Sequence, residues 1–144
     1  ITIKGTLHSK PDVKKQSLKS SSQYISFSLK EYPQYKFEID GAGYEAVDIS
    51  NLDNYRQGTN TIFKVLKRDY NVKIKNSVSP TYSEKHFNWT TINLYEAQLN
   101  SSKIITLDEY NFQTRELYDS NRKWSFLIFG MAIIMFIYGL KAYR

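Results

Sequence analysis

The chain has 144 residues, a formal net charge of +6 and no cysteine. That length holds one ordinary domain and little more, and the absent thiols exclude disulfides and thiolate-bound metals. A moderate positive excess does not by itself predict a nucleic-acid partner, while 12 Tyr and 8 Phe against 6 Gly and 3 Pro tilt the chain toward strands.

A sequence that opens on Ile1 rather than Met is expected to lack something upstream, which a cleaved signal peptide, an artificial chain boundary or a first membrane helix would each explain. ITIKGTL alternates Ile1, Ile3 and Gly5 against Thr2, Lys4 and Thr6, which predicts a half-buried strand. The polar, lysine-rich HSKPDVKKQSLKSSSQ predicts a long exposed loop. YISFSLK then places Ile25, Phe27 and Leu29 on one face, and past Pro33 the set Tyr35, Phe37 and Ile39 resumes the alternation, so a hairpin is expected. Asp40, Gly41, Ala42 and Gly43 should turn the chain, and VDISNLDNY should form a short helical segment capped by Asp48 or Ser50.

Gly58 introduces a strand over residues 62–66, and residues 69–71 should turn into a further strand over residues 72–75. NSVSPTYSEK predicts a second polar loop. TTINLYEAQ carries a strand with Ile92 and Leu94, and a turn at Asn100, Ser101 and Ser102 leads to a short strand over residues 103–105. Thr106 followed three positions later by Glu109 matches a capping box, so a helix starts there, with a break expected at Asp119, Ser120 and Asn121. An acidic-Tyr pair recurs in LKEYP, LKRDYN and LDEYN, which predicts three turns that bury a ring and solvate a carboxylate.

Residues 124–140, WSFLIFGMAIIMFIYGL, carry no charged side chain. At 1.5 Å per residue they span about 25 Å as a helix, and extension to Tyr143 approaches the roughly 30 Å hydrocarbon core. Arg122, Lys123, Lys141 and Arg144 flank the run, with Trp124, Tyr138 and Tyr143 where interfacial aromatics belong. A transmembrane helix over residues 124–143 is therefore expected, with Trp124, Phe126, Leu127, Ile128, Phe129, Ile133, Ile134, Phe136, Ile137 and Leu140 facing lipid. Ser125, Ala132 and Gly139 recur every seven residues and form a candidate helix-packing face, against coincidence as the plain alternative. The basic flanks balance, so charge leaves orientation open; the domain is expected on the extracytoplasmic side.

The architecture expected is mainly β within the α+β class. Residues 1–105 should form a small OB- or SH3-like barrel or a twisted antiparallel sheet with one short helix, followed by a connector over residues 106–123 and the membrane helix. His8 and His86 stand far apart without ligand spacing, no G-x-S-x-G or phosphate loop occurs, and GAGY lacks the third Gly and the following Lys of a phosphate cradle. Asp108 and Glu109 are adjacent and point apart on a helix. No catalytic residue, metal, cofactor or small-molecule substrate is expected.

Charge distribution supplies the remaining candidates. Lys10, Lys14, Lys15 and Lys19 could touch headgroups or a partner, against a solvated loop as the alternative, and Glu38, Asp40, Glu45, Asp48 and Asp53 form a candidate acidic partner patch. The function expected is a single-pass, membrane-anchored, non-catalytic interaction domain serving as an accessory subunit of a membrane complex. The rivals are a membrane-tethered immunity or inhibitor protein acting on a toxin, and a nucleic-acid-binding barrel that would stack bases on Tyr24, Tyr35 and Phe37. The partners expected are the lipid bilayer and a membrane-associated protein, with nucleic acid ranked last. Sequons at Asn88 and Asn100 would matter in a eukaryotic lumen.

Overall fold

The computed structural model describes residues 1–15, 22–87 and 89–142, with side chains described through Phe136. Lys19 and Asn88 lie outside the described residues, as do Tyr143 and Arg144 and the side chains of Ile137, Gly139 and Leu140.

The alternating runs become strands β1 (Thr2–Thr6), β3 (Gln23–Ser28), β4 (Lys36–Asp40), β5 (Asn60–Val65), β6 (Thr91–Leu99) and β7 (Ser102–Ile105). β2 (Asp12–Lys15) is an addition inside the stretch expected to be a loop. It pairs antiparallel with β3, Val13 opposite Ile25. Its lysines hid the strand from a hydrophobicity pattern, and an edge strand tolerates them because they deter a further strand from docking.

The strands form one mixed sheet in the order β1-β5-β6-β4-β3-β2, with β7 also on β6. The β3–β4 hairpin forms as expected, Phe27 opposite Phe37. The pairing of β4 with β6, however, is parallel, Phe37 beside Ile92. β1 and β2 are consecutive segments that serve different neighbours, β5 and β3. Between them Leu7 makes one isolated bridge with Leu29, supported by hydrogen bonds from His8 N to Ser28 O and from Lys30 N to Thr6 O. The sheet is therefore open, and the closed barrel expected from strand number does not form: one bridge does not make a ladder.

The core lies on the sheet face where the three alternations converge. Ile25, Phe27, Leu29, Phe37, Ile39, Phe63, Ile92, Leu94, Leu99 and Ile105 are fully buried. Phe63 stands between Phe27 and Phe37, with ring centroids 5.3 and 5.6 Å away, and such aromatic pairs add to area burial. Tyr32, Tyr70 and Tyr110, the rings of the three acidic-Tyr pairs, all pack against this core, but only the first pair lies outside a helix; the other two, expected in turns, are in helical segments. Of their acidic neighbours, Glu31 and Glu109 are exposed and also accept local hydrogen bonds, Glu31 from Thr6 N and Oγ1 at 2.8 and 2.9 Å and Glu109 from Thr106 N at 2.7 Å, whereas Asp69 is partly covered and pairs with Lys73 at 3.2 Å.

More of the chain is helical than the pattern predicts. Gly41 and Gly43 belong to a short helix, α1 (Gly41–Glu45), rather than to a simple turn. A 3₁₀ segment, Ile49–Asn54, is capped by Asp48 as expected. Residues 72–75 are not a strand. A short α2 (Lys67–Asp69) runs into a π-helical turn, Tyr70–Ile74, because that geometry buries Val72 and Lys73 together and brings the Lys73 ammonium back to Asp69. α3 (Tyr82–Phe87) occupies the second polar loop.

The last element is α4 (Leu107–Ala142), 36 residues long. It starts at the expected capping box: Thr106 Oγ1 accepts from Glu109 N at 3.2 Å. It does not break at Asp119, Ser120 and Asn121; none of these is Gly or Pro, so nothing removes a ladder hydrogen bond. The structure does not support the transmembrane helix expected over residues 124–143. Among the described residues, no helix is long and apolar enough to cross a membrane; residues 124–136 cover roughly 20 Å at 1.5 Å per residue, short of a 30 Å core.

Candidate functional site

The chemistry-bearing residues gather in three places. The first is the sheet face turned away from the core. The register sets Tyr24 opposite Asp40 and Lys36 beside Thr91, because residues of one strand that share parity share a face. These side chains, with Gln23, Glu38 and exposed Phe87 of α3, line an open groove of about 550 Å³. Glu38 is half-buried there, and burial first, then Asp40, pushes its carboxyl above the usual range, while Lys36 and Lys14 act against the shift. The groove can accept hydrogen bonds and ion pairs; the histidines, His8 and His86, do not line it. Among the described residues no group of three or more His, Asp or Glu could hold a metal ion.

The acidic candidates are divided. Glu38 and Asp40 reach the groove, and Glu45 is exposed at the end of α1. Asp48 is occupied in capping, accepting from Ser50 N at 3.1 Å and Asn51 Nδ2 at 2.7 Å. Asp53 pairs with Lys10 at 2.7 Å, whose hydrogen bond holds the Asp53 carboxyl below its ordinary value. Lys14 lies 3.2 Å from Asp12, and Lys15 is exposed on β2. The structure thus brings part of the basic set onto part of the acidic set. Tyr35 and Phe37 are buried, so two of the three aromatics a base-stacking surface would use face the interior.

The second place is the root of α4. Tyr110 packs edge-on against Tyr95 of β6, with centroids 4.9 Å apart, and lies over Gly43 of α1. Burial raises both phenol pKa values above normal, with Asp40 adding to each and the facing Tyr110 ring to Tyr95. Past Gln113 the described side chains are exposed as far as Phe129. Consecutive residues Phe126, Leu127, Ile128 and Phe129 are 65, 51, 60 and 67 % exposed, and at 100° per residue they span the whole circumference. Ser125 Oγ donates to Asn121 O at 2.9 Å within the helix, which satisfies its hydroxyl without water. Ala132 is exposed, and the Arg122 guanidinium lies 5.8 Å from the Phe126 ring centroid.

The third is the lobe formed by α2, the π turn and α3, which sequence reasoning missed. Lys73 is buried, and its ammonium donates to Thr91 O while pairing with Asp69; the Asp-x-x-x-Lys spacing is the signal that could have found it. Tyr35 OH donates to the Lys73 carbonyl. Thr81-x-x-Glu84 is a second capping box, with Glu84 accepting from Thr81 N at 2.6 Å. Glu84 also accepts from Arg68 Nε and Nη2 at 2.6 and 2.9 Å, which docks α3 on α2.

These contacts, the Arg68 guanidinium foremost and the Thr81 N–H next, draw the Glu84 carboxyl from 4.5 to about 2. The folded state thus favours the ionised form, so the contact contributes fully above the unfolded value and is lost as pH falls toward about 2. Amide protection in α3 is expected to fade over that interval while the β-sheet amides stay protected, and Glu84→Gln should abolish the pH dependence. A carboxyl-carbon NMR titration of Glu84 checks the pKa directly.

Compared with protein-family models, curated proteins and solved structures, the chain finds no match in any of the three.

Proposed function

We propose that this protein is a non-catalytic interaction domain held at a membrane by α4, with the outer groove on β3, β4 and β6 offered to a protein partner. One observation carries the reading: α4 leaves the domain after its first turns and exposes large apolar side chains on every side. Each such side chain moved out of water contributes roughly 1.5–3 kcal/mol, and a helix apolar all round belongs in a protein interior or in lipid. The domain itself supplies no interior for it. The reading requires helical residues 137–142 to complete the span, since the described run alone is too short. The Arg122 contact with Phe126 suits a cation and a ring at the start of a hydrocarbon layer.

An inhibitor acting through one continuous acidic patch is less well supported, because Asp48 is committed to a cap and Asp53 to Lys10. The full chain is expected to pellet with membranes, resist alkaline carbonate and enter solution with detergent, whereas a chain ending at Lys123 stays in the supernatant. Recovery of the intact chain as a monodisperse species without detergent would overturn the anchor.

A further inference from the structure

We propose that the lobe of α2, the π turn and α3 is a second membrane-contact site, which rests exposed apolar side chains and uncompensated lysines on an anionic lipid surface. The inference builds on α4 as the anchor, since the tail is what brings the lobe to a bilayer.

Apolar exposure within the folded domain is concentrated in this lobe. Leu66, Val78 and Tyr82 are 48, 43 and 75 % exposed; Phe87 faces the outer groove instead. Arg68 and Glu84 hold α2 and α3 together, and Tyr82 and Lys85, three positions apart on α3, share a helix face. The charge is unbalanced for a specific reason. The acidic residues of residues 66–87 are Asp69 and Glu84, and both are occupied, by Lys73 and Arg68. Lys67, Lys75 and Lys85 are exposed and have no ion-pair partner among the described residues. An exposed aromatic ring, Tyr82, beside free lysines matches the interfacial layer of a bilayer, where rings sit at headgroup depth and cations meet anionic lipid. A nucleic acid would require stacking rings in a basic groove, whereas the ring of Tyr82 is covered on one side by His86 at 4.3 Å.

The chain contains no cysteine, so one introduced thiol labels a single position. In the full chain, Tyr82→Cys and Phe129→Cys would each carry an environment-sensitive fluorophore, with Val78→Cys as a second lobe position. Vesicles of phosphatidylcholine alone are compared with vesicles that also contain phosphatidylserine. The lobe probe is expected to shift to the blue on phosphatidylserine vesicles alone. High salt should reverse the shift, since these contacts are screened. The triple variant K67E/K75E/K85E, checked for fold by circular dichroism, should lower the lobe's partitioning at least about tenfold. The tail probe should report hydrocarbon in both vesicles. A lobe probe that stays in water at both positions, with the tail probe in hydrocarbon, overturns the lobe contact and leaves the anchor standing. A tail probe in water overturns the anchor, and the phosphatidylserine-dependent shift then decides the lobe separately. A shift equal on neutral and anionic vesicles, or one caused by an acidic protein and not by lipid, overturns the proposal.

Discussion

Phe37→Ala is expected to cost about 3–5 kcal/mol, the usual range for truncating a buried phenylalanine. Phe37 is fully buried at the centre of the sheet, with its ring 5.6 Å from Phe63 and 6.1 Å from Tyr32. It pairs with Phe27 on one side and Ile92 on the other, so strands on both sides limit collapse of the cavity. Against the 5–15 kcal/mol typical of a whole domain, that loss should leave the variant partly unfolded at modest denaturant concentrations. Phe87→Ala is the internal comparison. Its ring is 75 % exposed, so its midpoint should move by no more than about 0.5 kcal/mol. Urea unfolding of the pair checks the assignment, and equal midpoints would refute it.

Gly43→Ala should also destabilise, although alanine in a helix is ordinarily favoured over glycine by up to about 1 kcal/mol. The obstacle is space. A Cβ at position 43 would stand 2.9 Å from Ile39 Cγ2 and 3.0 Å from Tyr110 Cδ2. The first is a methyl of a fully buried β-branched residue, which has little rotamer freedom. Overpacking of this kind costs roughly 1–3 kcal/mol, and relief comes most readily from shifting Tyr110 and with it the root of α4. Two further readouts follow. The Tyr95 and Tyr110 phenols, held above their usual pKa chiefly by burial, should titrate closer to normal. Tyr110→Ala should also recover part of the loss when combined with Gly43→Ala, a coupling that independent sites would not show.

The legible parts of this molecule were those encoded by local periodicity. β3, β4 and β6 could be drawn from the alternation of Ile25, Phe27 and Leu29, of Tyr35, Phe37 and Ile39, and of Ile92 and Leu94, since period two maps directly onto two faces of a strand. The start of α4 was readable because Thr106 and Glu109 cap it locally. The same signal at Thr81 and Glu84 was present but masked by the polar residues around it. Partnerships were not readable. The parallel register of β4 with β6 depends on residues more than fifty positions apart, and β2 exists because β3 offers it an edge, which Lys14 and Lys15 do not announce.

The groove was legible only as composition. Glu38 and Asp40 could be marked as acidic, but their separation from Asp48 and Asp53 is a consequence of α1 and the 3₁₀ turn redirecting the chain. The pairing of Lys10 with Asp53 likewise joins two segments that the sequence kept in opposite charge blocks.

By itself the amino-acid sequence determined the strands with a clear period of two, where the last helix would begin, and that residues 124–140 would be apolar on all sides, because each of these follows from neighbours within a few positions; β2 and the helical fold of residues 72–74 were not among them. The tertiary structure alone decided that the sheet stays open, that Lys73 is buried with Asp69 and that α4 leaves the domain once Tyr110 has seated on Gly43. The physical reason is that closure, ion pairing and docking depend on distances across the fold, and a linear pattern carries no information about distances between segments far apart in the chain.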